Sequence, residues 1–208
     1  MLQKYKNSVD GTNFSYNICI IGEKVVTLRS KWSDMNIREK IFGYILRRQP
    51  KRQVHFPRWE NVRTVVLLFE SDLIEKNPVI HRLADRLTKG ETDKNVILLG
   101  YADKKEVLSA NLPQSRILGR KDFTIFGTPK AAIREELMRH PYDLLIDLTQ
   151  GDSLPLRYMA MYLKADFKAG RHAQEGIHNF MLDTPAQESQ EFLFEQIIYY
   201  LKLIKSND

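Results

Sequence analysis

The chain has 208 residues, 43% of them hydrophobic, enough for one core of ordinary size and too apolar for a disordered chain. Its one cysteine, Cys19, excludes an internal disulfide framework and a cysteine-rich zinc site, and fits a reducing, cytoplasmic location. The net charge of +6 is concentrated: residues 31–63 hold nine Lys or Arg against three Asp or Glu, so this segment carries the whole excess and is where an acidic surface would be met.

In chain order, Tyr16 to Ile21 and Val25 to Leu28 read as a hairpin turning near Gly22 and Glu23. The longest apolar runs, such as Ile18 to Ile21 and Val65 to Phe69, fall far short of the roughly 20 residues needed to span a bilayer. A secretory signal is not expected either, because Ser8 to Asn17 is mostly polar and contains Asp10. Residues 1–34 read as an N-terminal extension, with Met35 as an alternative start.

Residues 36–48 form an amphipathic basic helix, with Ile37, Ile41, Tyr44 and Ile45 along one stripe and Arg38, Lys40, Arg47 and Arg48 elsewhere. Pro50 stops it, and residues 51–57 are an extended connector, so residues 35–60 make up a helix and a linker. One reading docks the apolar stripe on the main domain and leaves the charges solvated. The other makes Arg47, Arg48, Lys51 and Arg52 a surface-binding patch for a membrane surface or a protein partner, which would place the protein peripherally at the membrane. Nucleic acid is disfavoured, since base stacking needs more interleaved aromatics than Phe56 and Trp59 supply.

Residues 61–208 read as an α/β domain. Thr64 to Glu70 (TVVLLFE) is its first strand, and Val79, Leu83, Ala84 and Leu87 give the helix after it, ending at Lys89 and Gly90. Asn95 to Tyr101 is the second strand, residues 104–110 a helical turn, and Asp122 to Phe126 (DFTIF) the third strand. The next helix is expected to start with Thr128 as cap and Pro129 as its first residue, and to run to His140. The apolar run inside YDLLIDL, residues 142–148, is a strand covered on both faces. A helix should follow within a residue or two of Ser153, with Pro155 in its first turn and Leu156, Met159, Ala160 and Leu163 inward. Phe167 to Gly170, Asn179 to Leu182 and a long helix over residues 188–205 complete the chain.

This alternation implies a single doubly wound, mainly parallel sheet of Rossmann-like type, with strand order 3-2-1-4-5-6. Ligands in such sheets sit at the switch point, outside the C-terminal ends of the first and fourth strands. The expected crevice is lined by Ser71, Asp72, Thr149, Gln150, Ser153 and Arg171, with Arg157 close by, and would take an anionic small molecule at helix N-termini. Asp147 ends the fourth strand on the same face as Asp143; it is either a ligand-binding carboxylate or an acceptor for the Thr149 or Gly151 amide, while Asp143 bonds the chain around Pro141.

The segment from Tyr142 to Leu148, a helix, and then Lys168-Ala169-Gly170-Arg171 resembles the first domain of heptosyltransferase-type glycosyltransferases over about thirty residues. Those enzymes hold the glycosyl donor mainly with a second domain, for which this chain has no length, and the glycine-rich loop of their first strand is replaced here by Glu70-Ser71-Asp72. From about Met35 to the C-terminus the chain resembles an uncharacterised family of bacterial proteins carrying Leu154-Pro155-Leu156-Arg157-Tyr158, Lys164-Ala165-Asp166-Phe167 and Gly170-Arg171, which implies a fold and no mechanism.

No G-x-G-x-x-G, Walker loop or G-x-S-x-G stands where a dinucleotide, nucleotide or hydrolase site would need it, and the five histidines show no paired metal spacing, so no metal is expected and no cofactor is indicated. Two classes stay open: a non-catalytic binding or interaction module, which the lack of a poised nucleophile favours, and a sugar- or nucleotide-handling transferase-like enzyme using the anion crevice. Catalytic residues and oligomeric state are not legible.

Overall fold

The structure is a computed structural model that describes residues 2–9, 12–21, 24–28, 32–50, 54, 56–71, 78–89, 93–103, 114–172, 176–185 and 188–204, with side chains from residue 37 onward. The chain forms two compact units, Met1–Arg48 and Gln49–Asp208.

The first unit holds an antiparallel sheet in the order β1 (Leu2–Val9), β2 (Thr12–Ile21), β3 (Lys24–Leu28). The β2–β3 pair, in register from Asn17 opposite Leu28 to Ile21 opposite Lys24, is the expected hairpin, and β1 adds a strand to it. Helix α1 (Trp32–Arg47) begins at Trp32 rather than Asn36. The run Trp32-Ser33-Asp34-Met35 holds no Gly or Pro to stop it and brings Asp34 into the first turn, where the helix dipole favours negative charge. On α1, Phe42 is buried, Ile37 and Tyr44 are about half exposed, and the Arg48 guanidinium lies 4.3 Å from the Tyr44 ring centre.

The second unit is built on six parallel strands in the order β6 (Ser115–Gly119), β5 (Asn95–Ala102), β4 (Thr64–Glu70), β7 (Tyr142–Asp147), β8 (Ala165–Arg171), β9 (Phe180–Leu182), which is the 3-2-1-4-5-6 arrangement. Strand alternation divides the apolar residues between two faces. Val65, Leu67, Phe69, Leu144, Ile146, Leu148, Phe167 and Ala169 join Ile80, Leu83 and Leu87 of α2 (Pro78–Thr88) and Leu193, Phe194, Ile197 and Leu201 of α5 (Gln190–Leu203) in one core. Their sequence neighbours Val66, Leu68 and Leu145, each 0% exposed, point to the opposite face, where α4 (Leu154–Tyr162) packs on β4 and beside α3 (Ala131–Arg139). Coverage on both faces is why β4 and β7 are unbroken apolar runs.

At the N-terminal ends of the strands, Asp143 ties β7 to β4. Its Oδ2 accepts from the Arg63 amide (2.7 Å), the Thr64 amide (2.8 Å) and the Thr64 hydroxyl (3.0 Å), so its partner is the neighbouring strand and not the chain around Pro141. Burial alone would raise the Asp143 carboxyl; the hydrogen bonds from Thr64 and Arg63 outweigh it and hold the group below its ordinary value. Nearby, the Lys94 ammonium is buried 4.1 Å from the Trp59 ring centre and donates to the carbonyls of Trp59 (3.1 Å) and Val62 (2.7 Å). Burial, with Arg63 close by, lowers its pKa.

Two expected boundaries are corrected. The third strand is Ser115–Gly119, not residues 122–126. DFTIF has strand-like composition, but SRILG is the segment that pairs with β5, from Leu98 opposite Ser115 to Ala102 opposite Gly119. Helix α3 starts at Ala131, not Pro129, with Lys130 at the N-cap position. Thr128 is spent closing a tight loop: its carbonyl accepts from the Thr124 amide (2.8 Å), its hydroxyl meets the Thr124 hydroxyl (2.6 Å), and Pro129 bridges to Phe123. The expected helical turn at 104–110 lies outside the described residues.

Candidate functional site

The C-terminal ends of β4, β7 and β8 carry the polar residues that a parallel sheet usually devotes to ligands. Glu70, last residue of β4, points to the α4 side, and its carboxylate accepts from the Gly151 amide at 3.2 Å. A Cβ on Gly151 would stand 2.7 Å from Glu70 Oε1, so glycine is what lets this loop close onto the carboxylate. Asp147, last residue of β7, is 6% exposed; its Oδ1 accepts from the Thr149 amide (3.0 Å) and its Oδ2 is 3.0 Å from His178 Nε2.

The His178–Asp147 pair is the feature that sequence reading missed. Gly170, beside Asp147 on β8, makes room for it: a Cβ there would lie 2.9 Å from His178 Nε2 and 3.1 Å from Asp147 Cβ. The imidazole thus crosses β8 over bare backbone to reach the neighbouring strand. With Nε2 on the carboxylate, Nδ1 is the remaining polar atom of the ring, and it is buried without a hydrogen-bond partner. On the same face Lys168 Nζ donates to the Ala160 (2.6 Å) and Met161 (3.1 Å) carbonyls, closing the last turn of α4 with a cation.

Arg171 follows Gly170 and so projects to the other face, with Phe167 and Ala169, toward α5. Its guanidinium donates to the carbonyls of Thr184 (3.2 Å), Pro185 and Glu188 (3.3 Å), the turn that leads to the α5 N-cap Ser189. Gln150 Nε2 donates to the same Glu188 carbonyl (2.9 Å), and Gln190 Nε2 to the Leu148 carbonyl (3.1 Å), so the loop after β7 is laced to the start of α5. The structure therefore brings Gln150 and Arg171 together, and separates Arg171 from Asp147 and Arg157 by the thickness of the sheet. Arg157, on α4, pairs with Asp152 at 3.2 Å. Ser153 holds the N-cap position of α4 without a side-chain cap bond, and Ser71 is buried with its amide on the Tyr101 carbonyl (2.9 Å). Asp72, Lys51 and Arg52 lie outside the described residues.

At the end of β5, Tyr101 donates to Asp103 (3.2 Å), and burial, with Asp103 beside it, pushes its hydroxyl up to about 12. Asp103 in turn takes a two-pronged contact from Arg120, which holds its carboxyl below the ordinary value. Among the described residues no group of three or more His, Cys, Asp and Glu is placed to hold a metal, and no helix is long and apolar enough to cross a membrane.

The fold is a doubly wound, Rossmann-like α/β sheet, with Glu70 and Asp147 at the switch point. The chain belongs to DUF6913, a family of unknown function, whose profile matches residues 36–204 and so takes in most of α1 and the whole sheet. No curated protein matches it. Among solved structures it is similar to the E. coli heptosyltransferase WaaC with ADP, at 19% identity and a TM-score of 0.36, over 64% of this chain and 46% of that one. It is also similar to the same heptosyltransferase with ADP-2-deoxy-2-fluoro heptose, at 13% identity and a TM-score of 0.41, over 69% and 50%. The chain spans about half the length of these neighbours.

Proposed function

We infer that the chain is a non-catalytic α/β binding module. The observation that carries this reading is the internal use of the switch-point groups. The Gly151 amide is held by Glu70, the Thr149 amide by Asp147, the Arg171 guanidinium by three carbonyls and the Arg157 guanidinium by Asp152. An anion would have to displace Glu70 to reach the Gly151 amide, or Asp147 to reach the Thr149 amide.

One observation favours a second reading, a sugar- or nucleotide-handling transferase-like enzyme: the buried His178 Nδ1 has no partner while Asp147 fixes the other ring nitrogen. An imidazole held in that way is suited to a substrate hydroxyl. A thermal-shift screen against nucleotides, nucleotide sugars and phosphorylated metabolites separates the two. A ligand at a hundred times its Kd stabilises by about 2.7 kcal/mol, or roughly 5–10 °C for a chain of this size. The module reading predicts no such shift; a shift abolished by His178→Ala would install the enzyme reading instead.

A further inference from the structure

The most exposed large apolar side chain among the described residues is Ile125, 78% exposed, and Phe126 beside it is 43% exposed. They occupy the tip of a short projection at the C-terminal edge of the sheet, beyond the edge strand β6. Phe123 and Pro129 form an antiparallel bridge across its base, the Lys130 amide donates to the Asp122 carbonyl (2.9 Å), and the Thr124–Thr128 contacts close the tip. Gly127, at φ +81°, turns the chain in a conformation that other residues rarely adopt, and a Cβ there would press on Leu154 at 3.1 Å, so the projection is seated on the start of α4. Two large apolar groups are thus held out into water by a rigid turn.

The feet of the projection are Lys121 and Lys130, both exposed, with the exposed Arg134 one turn into α3. None of the three makes an ion pair among the described residues. Arg120 is instead committed to Asp103, and the Asp122 carboxylate is turned onto the Gly119 amide (2.8 Å). Lys130 stands at the N-cap of α3 and makes no side-chain cap bond, a place where helices favour Ser, Thr, Asp or Asn and where the dipole opposes a cation. Local stability gains nothing from that choice, and such departures concentrate where a surface has another use.

We propose that this projection inserts Ile125 and Phe126 into the headgroup region of an anionic lipid bilayer while Lys121 and Lys130 meet the lipid phosphates. An apolar tip with cations at its base matches the layered chemistry of such a surface. Two side chains suffice for shallow insertion, whereas a stable protein–protein contact buries about 800 Å² on each partner. The lipid contact uses different residues from the strand-end corner, and it stands whether that corner is catalytic or not.

The test is co-sedimentation of the full chain with phosphatidylcholine vesicles and with mixed phosphatidylcholine–phosphatidylglycerol vesicles. Wild type should bind the mixed vesicles and release as salt rises. Ile125→Ser with Phe126→Ser should weaken partitioning by at least about 30-fold. Lys121→Gln with Lys130→Gln should weaken it about 25-fold, roughly fivefold per charge, and only on anionic vesicles. All four positions are exposed, so unchanged melting of each pair is the control, and the lysine pair keeps the test intact if the serine pair fails to fold. Phe126→Trp should show a blue-shifted emission on binding. The proposal is overturned if wild type binds neither vesicle. It is equally overturned if both loop pairs bind as wild type while Arg47→Ser, Arg48→Ser, Lys51→Ser and Arg52→Ser together abolish binding, or if the serine pair turns an oligomer into a monomer and vesicle binding is unaffected.

Discussion

Removing the Asp143 carboxylate should cost a defined and pH-dependent part of the stability. One oxygen takes two backbone amides and a hydroxyl across the β4–β7 junction. A hydrogen bond to a charged group contributes about 1.5–3 kcal/mol. The Arg63 amide is exposed and can turn to water, while the Thr64 amide is half-buried and cannot do so fully, so Asp143→Ala should lose about 2–3 kcal/mol at neutral pH. The folded-state pKa is depressed, so the charge-dependent share of this stability is present above the unfolded value of 3.8 and is lost as pH falls through the lower folded value. Asp143→Asn, which keeps an acceptor but no charge, should be less stable than wild type at pH 7, and the gap should close as the wild-type carboxylate protonates. Urea unfolding of the three proteins at neutral and at acid pH measures both effects. A loss below about 0.5 kcal/mol for Asp143→Ala, the scatter of ordinary surface changes, would refute the clamp. So would an Asp–Asn gap that stays constant into acid.

Gly170→Ala should destabilise by about 1–3 kcal/mol, because the new methyl would crowd both the His178 ring and Asp147 Cβ and so strain the pair, and differential scanning calorimetry would read this as a lower Tm. Arg171→Ala should lower stability by about 2–3 kcal/mol, since the Thr184 and Pro185 carbonyls lose this donor and the Glu188 carbonyl keeps only Gln150, and should leave vesicle binding at the wild-type level. For Lys94 the folded pKa is lowered, so between that value and 10.5 the unfolded chain holds more protons and wild-type stability should rise with pH; in Lys94→Met that rise should disappear from the denaturation midpoints.

The sheet was legible because its signals are local. Val65 to Phe69 and Leu144 to Ile146 are unbroken apolar runs, and the helices α2, α3 and α4 stand between successive strands, the alternation that marks a doubly wound parallel sheet. The third strand was not legible, since an edge strand is selected by pairing on one side: SRILG has only Ile117 and Leu118 to mark it, and the more strand-like DFTIF is bent into a loop by Gly127. At the site, the Asp147–Thr149 contact is two residues apart and was within reach of sequence reasoning, whereas Asp147–His178 spans 31 residues and depends on Gly170 being bare. The one available signal was a glycine opposite a strand-end aspartate, and it has meaning only once the register is known. Arg171 was expected to face the ligand crevice; alternation of a single residue past Gly170 sends it to the α5 side.

The central claim, that the switch-point groups are occupied from within, is tested most directly by following the Thr149 and Gly151 amides and the His178 ring nitrogens by NMR during titration with inorganic phosphate, a nucleoside diphosphate and a nucleotide sugar. The internal hydrogen bonds to Asp147 and Glu70 predict that these signals stay in place with all three probes. Saturable shifts of Gly151 and His178 with any one of them would contradict the account and identify the corner as a ligand site.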